Sequence, residues 1–188
     1  MRHTWFLPLI AIALAVVTWS SVSAAELPSV DPSACTIAPI PVPVEGEVGD
    51  LSTPQPTPTP IATAPVTPAD DATAAAITET IAQSIACRNA GDQLRMLATF
   101  SDRWVAALFS GYDLVFYNQF LDQVDLPATP LATADQITLV AIDDIGLRDD
   151  GAALATVTTR SGGVEQRSLL LLIEESGVWR IDGADVAA

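Results

Sequence analysis

The sequence has 188 residues, enough for one ordinary domain, and its 23 acidic side chains outnumber 8 basic ones for a net charge of −15. All the basic side chains are arginines. Such a surface repels phosphate backbones and anionic lipid head groups, so the composition argues against nucleic-acid binding and against docking on a membrane surface.

The scarcity of histidine and cysteine excludes several chemistries. The single histidine, His3, lies in an N-terminal segment that we expect to be removed or embedded in a membrane. With no other histidine and only two cysteines, a Ser-His-Asp triad, a Cys-His pair and an ordinary zinc site cannot be built. No loop has the D-x-[DN]-x-[DN]-G spacing of a calcium loop. We therefore expect neither a metal nor a cofactor.

Residues 1–24 have the three features of a secretory signal peptide. Arg2 precedes an uncharged run from Trp5 to Trp19, and small residues follow as far as Ala24. We expect cleavage after Ala24 and a secreted or extracytoplasmic protein. The alternative is an uncleaved segment that retains the protein at the membrane, but the run is shorter than the ~20 residues that a spanning helix needs.

Residues 25–68 are interpreted as a Pro/Thr-rich linker. Most of the 14 prolines lie here, for example in Thr53–Pro60. Proline lacks a backbone donor and fixes an extended geometry, so the composition predicts a disordered tether rather than a helix or a central strand. Thr-Pro repeats in an exported protein also suit O-glycosylation or a semi-rigid spacer, and the sequence favours none of these roles over the others.

The two cysteines, Cys35 and Cys87, have two interpretations. In an oxidising compartment they indicate one disulfide, which would attach the start of the linker to the first helix. The alternative is a buried, free Cys87 and an unpaired Cys35. Both interpretations are structural rather than catalytic.

The domain proper is predicted over residues 69–188 and begins with helices. Thr67 is the expected N-cap of the first helix, with Pro68 at its first position. Isoleucines at every fourth position from 77 to 85 predict that this helix continues to about Asn89 and ends at Gly91. Three shorter helices are expected to follow, after Asp92, after Ser101-Asp102 and over residues 112–122.

Residues 137–182 predict an antiparallel strand meander. Turn signals at Asp149–Gly151, Ser161–Gly163 and Glu175–Gly177 divide this stretch into four apolar runs of strand length. A curved sheet of this kind must bury one face, and the upstream helices are available to cover it. Helices followed by a meander place the fold in the α+β class.

Three stretches resemble the nuclear transport factor 2-like superfamily, the cystatin-like cones that include polyketide-cyclase-like proteins and ketosteroid isomerases. They are Cys87–Asp92, Arg95–Asp102 and the closing run Leu170–Asp182, with its Gly-x-Trp-x-Ile-Asp ending. The resemblance covers about residues 70–186. It implies helices packed in the concave face of a curved sheet, with a hollow at the open end of the cone. In enzymes of the superfamily an Asp or Glu and tyrosines at the pocket floor act without a metal.

Candidate site residues follow from this resemblance. If the protein is an enzyme, the matching residues are Asp102, Tyr112 and Tyr117, since an apolar cone raises a carboxyl pKa by desolvation. However, no acid interrupts the strand runs 137–142 and 169–173, and Asp102 is better suited to capping a helix. The large aromatic residues expected to line or plug the cone are Trp104, Tyr112, Tyr117, Phe120 and Trp179.

Three hypotheses about function remain. The favoured one is a secreted, non-catalytic cone-fold module that binds a small apolar ligand or a protein partner, with a homodimer formed through the sheet as one such assembly. The second is a cofactor-free isomerase or hydrolase that uses an Asp/Tyr pair. The third is a purely structural domain with a filled core. An open cavity with a desolvated aspartate beside Tyr112 or Tyr117 would favour the enzyme, whereas closure by Trp104, Phe120 and Trp179 would favour the structural domain.

Overall fold

A computed structural model describes residues 27–42, 61, 66–109 and 114–186. The predicted signal peptide, Tyr112 and most of the predicted linker lie outside these residues. The described chain contains a short 3-10 turn at Pro32–Ala34. Its helices are α1 (Asp71–Asn89), α2 (Gln93–Leu97), α3 (Asp102–Phe109) and α4 (Leu114–Val124), and its strands are β1 (Thr67–Pro68), β2 (Thr138–Leu147), β3 (Ala153–Ser161), β4 (Val164–Glu175) and β5 (Val178–Val186). No described helix has the length and apolar character needed to cross a membrane.

Helix α1 begins later than the sequence predicts. Its N-cap is Asp70, whose carboxylate accepts a hydrogen bond from the Thr73 N–H at 2.7 Å. The prediction of Thr67 as N-cap is wrong, because Thr67 and Pro68 form the edge strand β1. Proline is tolerated on an edge strand, since its missing N–H removes no hydrogen bond between strands there. The predicted end of α1 is confirmed, since the helix stops at Asn89 and Gly91 adopts φ 69°.

The next two helices are capped by side chains close to the predicted starts. The Asp92 carboxylate accepts from the Arg95 N–H at 3.0 Å and caps α2. The Ser101 hydroxyl accepts from the Trp104 N–H at 3.0 Å and caps α3. Asp102 is therefore the first helical residue and not the cap, contrary to expectation.

The strands form one antiparallel sheet in the order β1-β2-β3-β4-β5. Strands β2 to β5 confirm the predicted meander and the α+β class. Strand β1 was not predicted, and it lies beside the end of β2, where Thr67 pairs with Leu147. The β4–β5 ladder contains a bulge, because Leu171 pairs with Gly183 whereas Leu172 pairs with Ile181.

The core of the described chain lies in two larger clusters and a smaller third one formed by Cys35, Ala86 and Cys87. Helix α1 covers one face of the sheet, with Ile77, Ile81 and Ile85 buried against the strands. Burying one such side chain fully contributes roughly 1.5–3 kcal/mol. Their buried strand partners are Leu139, Ala153, Ala155, Val157, Leu172 and Ile181. The second cluster joins α2, α3 and α4 through Leu97, Phe109, Tyr117 and Phe120.

The beginning of the predicted linker is part of the domain. Cys35 forms a disulfide with Cys87 of α1. The Gln83 side chain accepts from the Thr36 N–H at 3.0 Å and donates to the Ala34 carbonyl at 3.0 Å. Residues 27–42 therefore pack on the helices instead of forming a free tether, because the disulfide and side-chain amides replace the backbone bonds that their prolines cannot make.

Candidate functional site

Two of the aromatic residues predicted to line a hollow are packed together in the second cluster. The ring of Phe109 meets the ring of Phe120 edge-on at a centroid distance of 4.9 Å and that of Tyr117 at 6.4 Å. Tyr117 and Phe120 are only 4% and 8% exposed. Edge-to-face packing of this kind is typical of a core, so these rings hold α3 and α4 together.

The other predicted pocket residues lie elsewhere. Trp104 is half-buried and stacks on Phe100 at a centroid distance of 6.4 Å. Trp179 is half-buried against the core beneath α1, and its carbonyl accepts from the Thr80 hydroxyl at 3.0 Å. Tyr112 lies outside the described residues. The described members of the predicted pocket therefore do not share one site, since Trp179 packs on the first cluster, Tyr117 and Phe120 lie in the second, and Trp104 stacks on Phe100.

The predicted catalytic residues occupy different environments. Asp102 is exposed at the start of α3, and its N–H donates to the Glu175 carboxylate at 3.3 Å. Tyr117 is buried in the second cluster. Proton abstraction next to a carbonyl needs a base in a desolvated site, whereas this carboxylate is open to water. Asp102 is consequently a poor candidate for a general base.

Among the residues that the structure describes, the buried acid is Asp182, which was not among the predicted site residues. Its side chain is 1% exposed, and it accepts from the Ser101 hydroxyl at 2.5 Å and from Arg103 Nε at 3.1 Å. Arg103 Nη2 also donates to the second carboxylate oxygen, so the pair is bidentate. Because of the bulge between β4 and β5, Asp182 has no pairing partner on β4. Its side chain is directed at α3 instead.

The bonding around Asp182 is that of a structural cluster. The Asp182 carboxylate raises the pKa of Arg103, first by hydrogen bonding and then by its charge. Ser101 is fully buried, and its hydroxyl both donates to Asp182 and accepts from the Trp104 N–H. Ser101 also joins the sheet through its own N–H, which donates to the Ile181 carbonyl at 2.9 Å. The cluster therefore fastens the start of α3 to β5.

A concave site of a different kind lies beside the disulfide, and we call it the disulfide groove. Its volume is about 460 Å³. It is lined by Pro32, Ser33, Cys35, Ala90, Asp92, Arg95, Ala128 and Pro130. These residues come from the segment docked on α1, from the α1–α2 turn and α2, and from the loop after α4, so three separate parts of the chain form its walls.

Arg95 is the cation of the disulfide groove, and two contacts hold its guanidinium group. Nε lies 3.3 Å from the Asp92 carboxylate, and Nη1 donates to the Cys35 carbonyl at 3.1 Å. The side chain is 39% exposed. A guanidinium has five N–H donors, and these two contacts leave donors for a molecule bound in the groove.

The walls of the disulfide groove are fastened by backbone packing and by one buried amide. A Cβ placed on Gly91 would lie 2.2 Å from the Thr129 carbonyl oxygen, so the loop after α4 rests directly on this glycine. The Asn89 side chain is 1% exposed, donates to the carbonyls of Val30 and Ile137, and accepts from the Ile137 N–H. A site with walls held in this way loses little conformational freedom when a ligand binds.

Comparison with known proteins adds no family to this description. No protein-family model, curated protein or solved structure matches the chain significantly. In the part of the chain that the structure describes, no group of three or more His, Cys, Asp or Glu side chains is arranged to hold a metal ion.

Proposed function

We propose that the chain is a non-catalytic, extracytoplasmic binding module whose ligand site is the disulfide groove. The observation that carries this proposal is the fixed guanidinium of Arg95 in an open, rigid concavity. The buried acid, by contrast, is fully engaged by Ser101 and Arg103. The predicted N-terminal signal peptide and the disulfide support an oxidising compartment.

The ligand we propose is a small molecule with an apolar body and a single carbonyl or carboxylate acceptor. Pro32, Ala90, Ala128 and Pro130 supply apolar walls, and Arg95 supplies the donor. Asp92 partly neutralises Arg95, and the protein carries a net charge of −15. Both features disfavour the binding of a polyanion, whereas a ligand with one acceptor group can accept the hydrogen bonds that Arg95 still has to donate.

The relationship to the nuclear transport factor 2-like superfamily is also a proposal. Its support is the order of helices before a meander, the position of α1 across one face of the sheet, and the closing stretch Gly177–Asp182 in β5 and the turn before it. None of the residues that line the disulfide groove belongs to the sheet. A ligand site there would therefore be particular to this chain and its docked N-terminal segment.

The test of the proposed function is a ligand search with a matched arginine control. Native mass spectrometry of the exported protein, followed by NMR titration with small ketones and carboxylic acids, should show a bound species and shifts at Ala90, Arg95 and Ala128. Arg95→Ala should weaken binding at least tenfold. Arg167→Ala, which removes an arginine on β4 that is 56% exposed and remote from the groove, should leave the affinity unchanged.

Two outcomes would contradict the proposed function. Shifts confined to residues around Trp104 or Tyr117 would place the site in the helical layer instead. Absence of any bound species and of any titration shift would favour the purely structural domain, which the packing of Phe109, Tyr117 and Phe120 already suits. Turnover lost in Asp102→Asn would revive the isomerase or hydrolase.

A further inference from the structure

Residues 27–42, which we call the N-terminal strap, supply one wall of the disulfide groove. Pro32, Ser33 and Cys35 of the strap line the groove on one side. The remaining lining residues belong to the α1–α2 turn, to α2 and to the loop after α4. The groove therefore exists only while the strap is docked on the helices.

The strap is held mainly by side chains of the helices. Gln83 of α1 accepts from the Thr36 N–H and donates to the Ala34 carbonyl, both at 3.0 Å. In the described part of the chain, the only hydrogen bond between the backbone of the strap and the backbone of the remaining domain joins the Ile40 N–H to the Leu94 carbonyl at 3.3 Å. A segment with so few backbone bonds to its surroundings can open locally while the helices and the sheet stay folded.

The disulfide lies beneath the strap. Cys35 and Cys87 are both buried, and with Ala86 they form the third core cluster. Ala34 and Ile37 of the strap pack against this cluster. Thiol–disulfide exchange requires access of a thiolate to a sulfur atom. The bond can therefore be reduced only after the strap has begun to open, and the loss of the bond removes the covalent link between the strap and α1.

Arg95 connects the position of the strap to the proposed ligand site. Its Nη1 donates to the Cys35 carbonyl at 3.1 Å, and its side chain also lines the groove. When the strap detaches, the guanidinium loses this contact and the groove loses the wall formed by Pro32, Ser33 and Cys35. Docking of the strap and binding of a ligand consequently stabilise the same conformation.

We propose that the Cys35–Cys87 disulfide is a redox-controlled latch of the disulfide groove, and that its reduction releases the N-terminal strap and abolishes the ligand site. The inference rests on the proposed function for the role of the groove as a ligand site and adds the regulation of that site.

The reductant is a dithiol, such as the active-site pair of a thiol–disulfide oxidoreductase. One of its thiolates attacks Sγ of Cys35, the S–S bond breaks, and Cys87 leaves as a thiolate. The second thiolate of the reductant then attacks the mixed disulfide and displaces Cys35. The reductant is oxidised to a disulfide, and its two electrons and two protons leave Cys35 and Cys87 as thiols.

The first test compares the oxidised full chain with the same chain reduced by dithiothreitol. Hydrogen exchange at the Thr36 and Ile40 amides should become at least tenfold faster after reduction. Exchange at the Ile81 and Val157 amides, in α1 and β3, should not change. The NMR signal of the Arg95 Nε–H should shift on reduction, because the groove loses one wall.

A glutamine variant tests whether the strap controls access to the disulfide. Gln83→Ala removes two anchors of the strap but changes neither the cysteines nor a residue that lines the groove. Dithiothreitol should reduce this variant at least fivefold faster than the wild type, as measured by alkylation of the new thiols and mass spectrometry. Gln166→Ala, which removes an exposed glutamine of β4, is the matched control and should react at the wild-type rate.

Three results would overturn the proposal. One is a reduced protein in which the Thr36 and Ile40 amides stay as protected as before. Another is a loss of protection in α1 and β3 as well, since the disulfide would then stabilise the whole domain rather than the strap. The third is equal rates of reduction in Gln83→Ala and Gln166→Ala.

The latch and the proposed function fail in different experiments. The exchange and reduction measurements need no ligand, so a ligand search that finds nothing contradicts the proposed function and leaves release of the strap as measured. A ligand that binds the oxidised and the reduced protein with equal affinity contradicts the latch alone.

Discussion

Asp182 shows how one buried side chain connects the helical layer to the sheet. Its carboxylate is almost fully buried, whereas the Arg103 side chain that pairs with it is 74% exposed. Water screens the charge of Arg103, so the ion pair contributes little. The hydrogen bond from Ser101 is fully buried, and the loss of its acceptor would leave an unsatisfied hydroxyl.

Removal of each partner should therefore have unequal effects. Asp182→Ala should lower the free energy of unfolding by about 2–3 kcal/mol, because Ser101 loses its buried acceptor. Arg103→Ala should cost less than about 1 kcal/mol, as is usual for an exposed partner. Urea denaturation of the two variants measures both values. Equal losses would show that the ion pair, rather than the serine bond, holds α3 on β5.

Asp70 makes the start of α1 sensitive to acid. Two hydrogen bonds hold the pKa of the Asp70 carboxyl below its ordinary value of 3.8. The larger effect comes from the Thr73 backbone N–H and the smaller from the Thr73 hydroxyl. A lowered folded-state pKa means that the stabilisation is complete above pH 3.8 and is lost as the pH falls below that value.

Asp70→Asn should remove this contribution to the pH dependence while keeping an N-cap side chain. We expect the wild-type melting temperature to fall more steeply than that of the variant between about pH 4 and pH 2. The two curves should run parallel from pH 5 to pH 8. Thermal melts across this range test the expectation, and parallel curves below pH 4 would contradict it.

At the scale of elements, Gly91 joins the end of α1 to the loop after α4. Its φ of 69° is a conformation that favours glycine, and the Thr129 carbonyl leaves no room for a side chain. Gly151, in the β2–β3 turn, has a similar φ of 83° but faces open space. Substitutions at the two positions therefore distinguish the cost of backbone strain, which both share, from the cost of close packing, which only Gly91 carries.

Alanine substitutions at the two glycines should differ in cost. Gly151→Ala should lose about 1 kcal/mol, the penalty for a left-handed alanine. Gly91→Ala should lose at least about 1 kcal/mol more, because the loop after α4 must also move. Guanidinium denaturation gives both values. The displaced loop should change NMR shifts at Ala128 and Pro130 in the Gly91 variant alone, and equal losses would show that the loop yields easily.

The elements with a strong local period could be predicted from the sequence, and those that depend on distant contacts could not. The isoleucines of α1 and the glycine turns of β2 to β5 mark these elements locally. Strand β1 has only two residues and contains Pro68, so its sequence shows no alternation of apolar and polar residues that would predict a strand. Residues 27–42 are proline-rich, and their docking depends on Gln83 and Asn89, which are remote in sequence.

The candidate site was less predictable than the fold. The aromatic residues were expected to line or plug one hollow, but helical spacing does not reveal which cluster each one joins. Asp182 follows Ile181 in the middle of the last strand, which is a visible signal of a buried acid. The disulfide groove has no sequence signal, because the packing of three remote parts of the chain creates it.

At the scale of the whole molecule, like-charge repulsion opposes folding. The chain has 23 acidic and 8 basic residues. Among the described residues, arginines 95, 103, 148, 160, 167 and 180 each lie within 4.0 Å of a carboxylate. Exposed pairs are worth at most about 1 kcal/mol each, and the acids that have no arginine outnumber these pairs. Repulsion among carboxylates should therefore exceed the attraction in the pairs.

Moderate salt should consequently stabilise the protein. The Debye length falls from about 30 Å at 0.01 M salt to about 10 Å at 0.1 M, which screens repulsion between separated carboxylates more than it weakens pairs in contact. We expect the melting temperature to rise by about 3 °C over this range, equivalent to about 1 kcal/mol. At these low concentrations, effects that depend on the chemical identity of the salt are small.

A charge variant shows whether repulsion is the cause. Asp122 and Asp125 are exposed at the C-terminal end of α4, where the helix dipole also disfavours a negative charge. Asp122→Asn with Asp125→Asn should raise the melting temperature in 0.01 M salt and reduce its increase with added salt. A melting temperature that falls as sodium chloride is added would mean that the arginine pairs outweigh the repulsion, since their attraction is then what the salt screens.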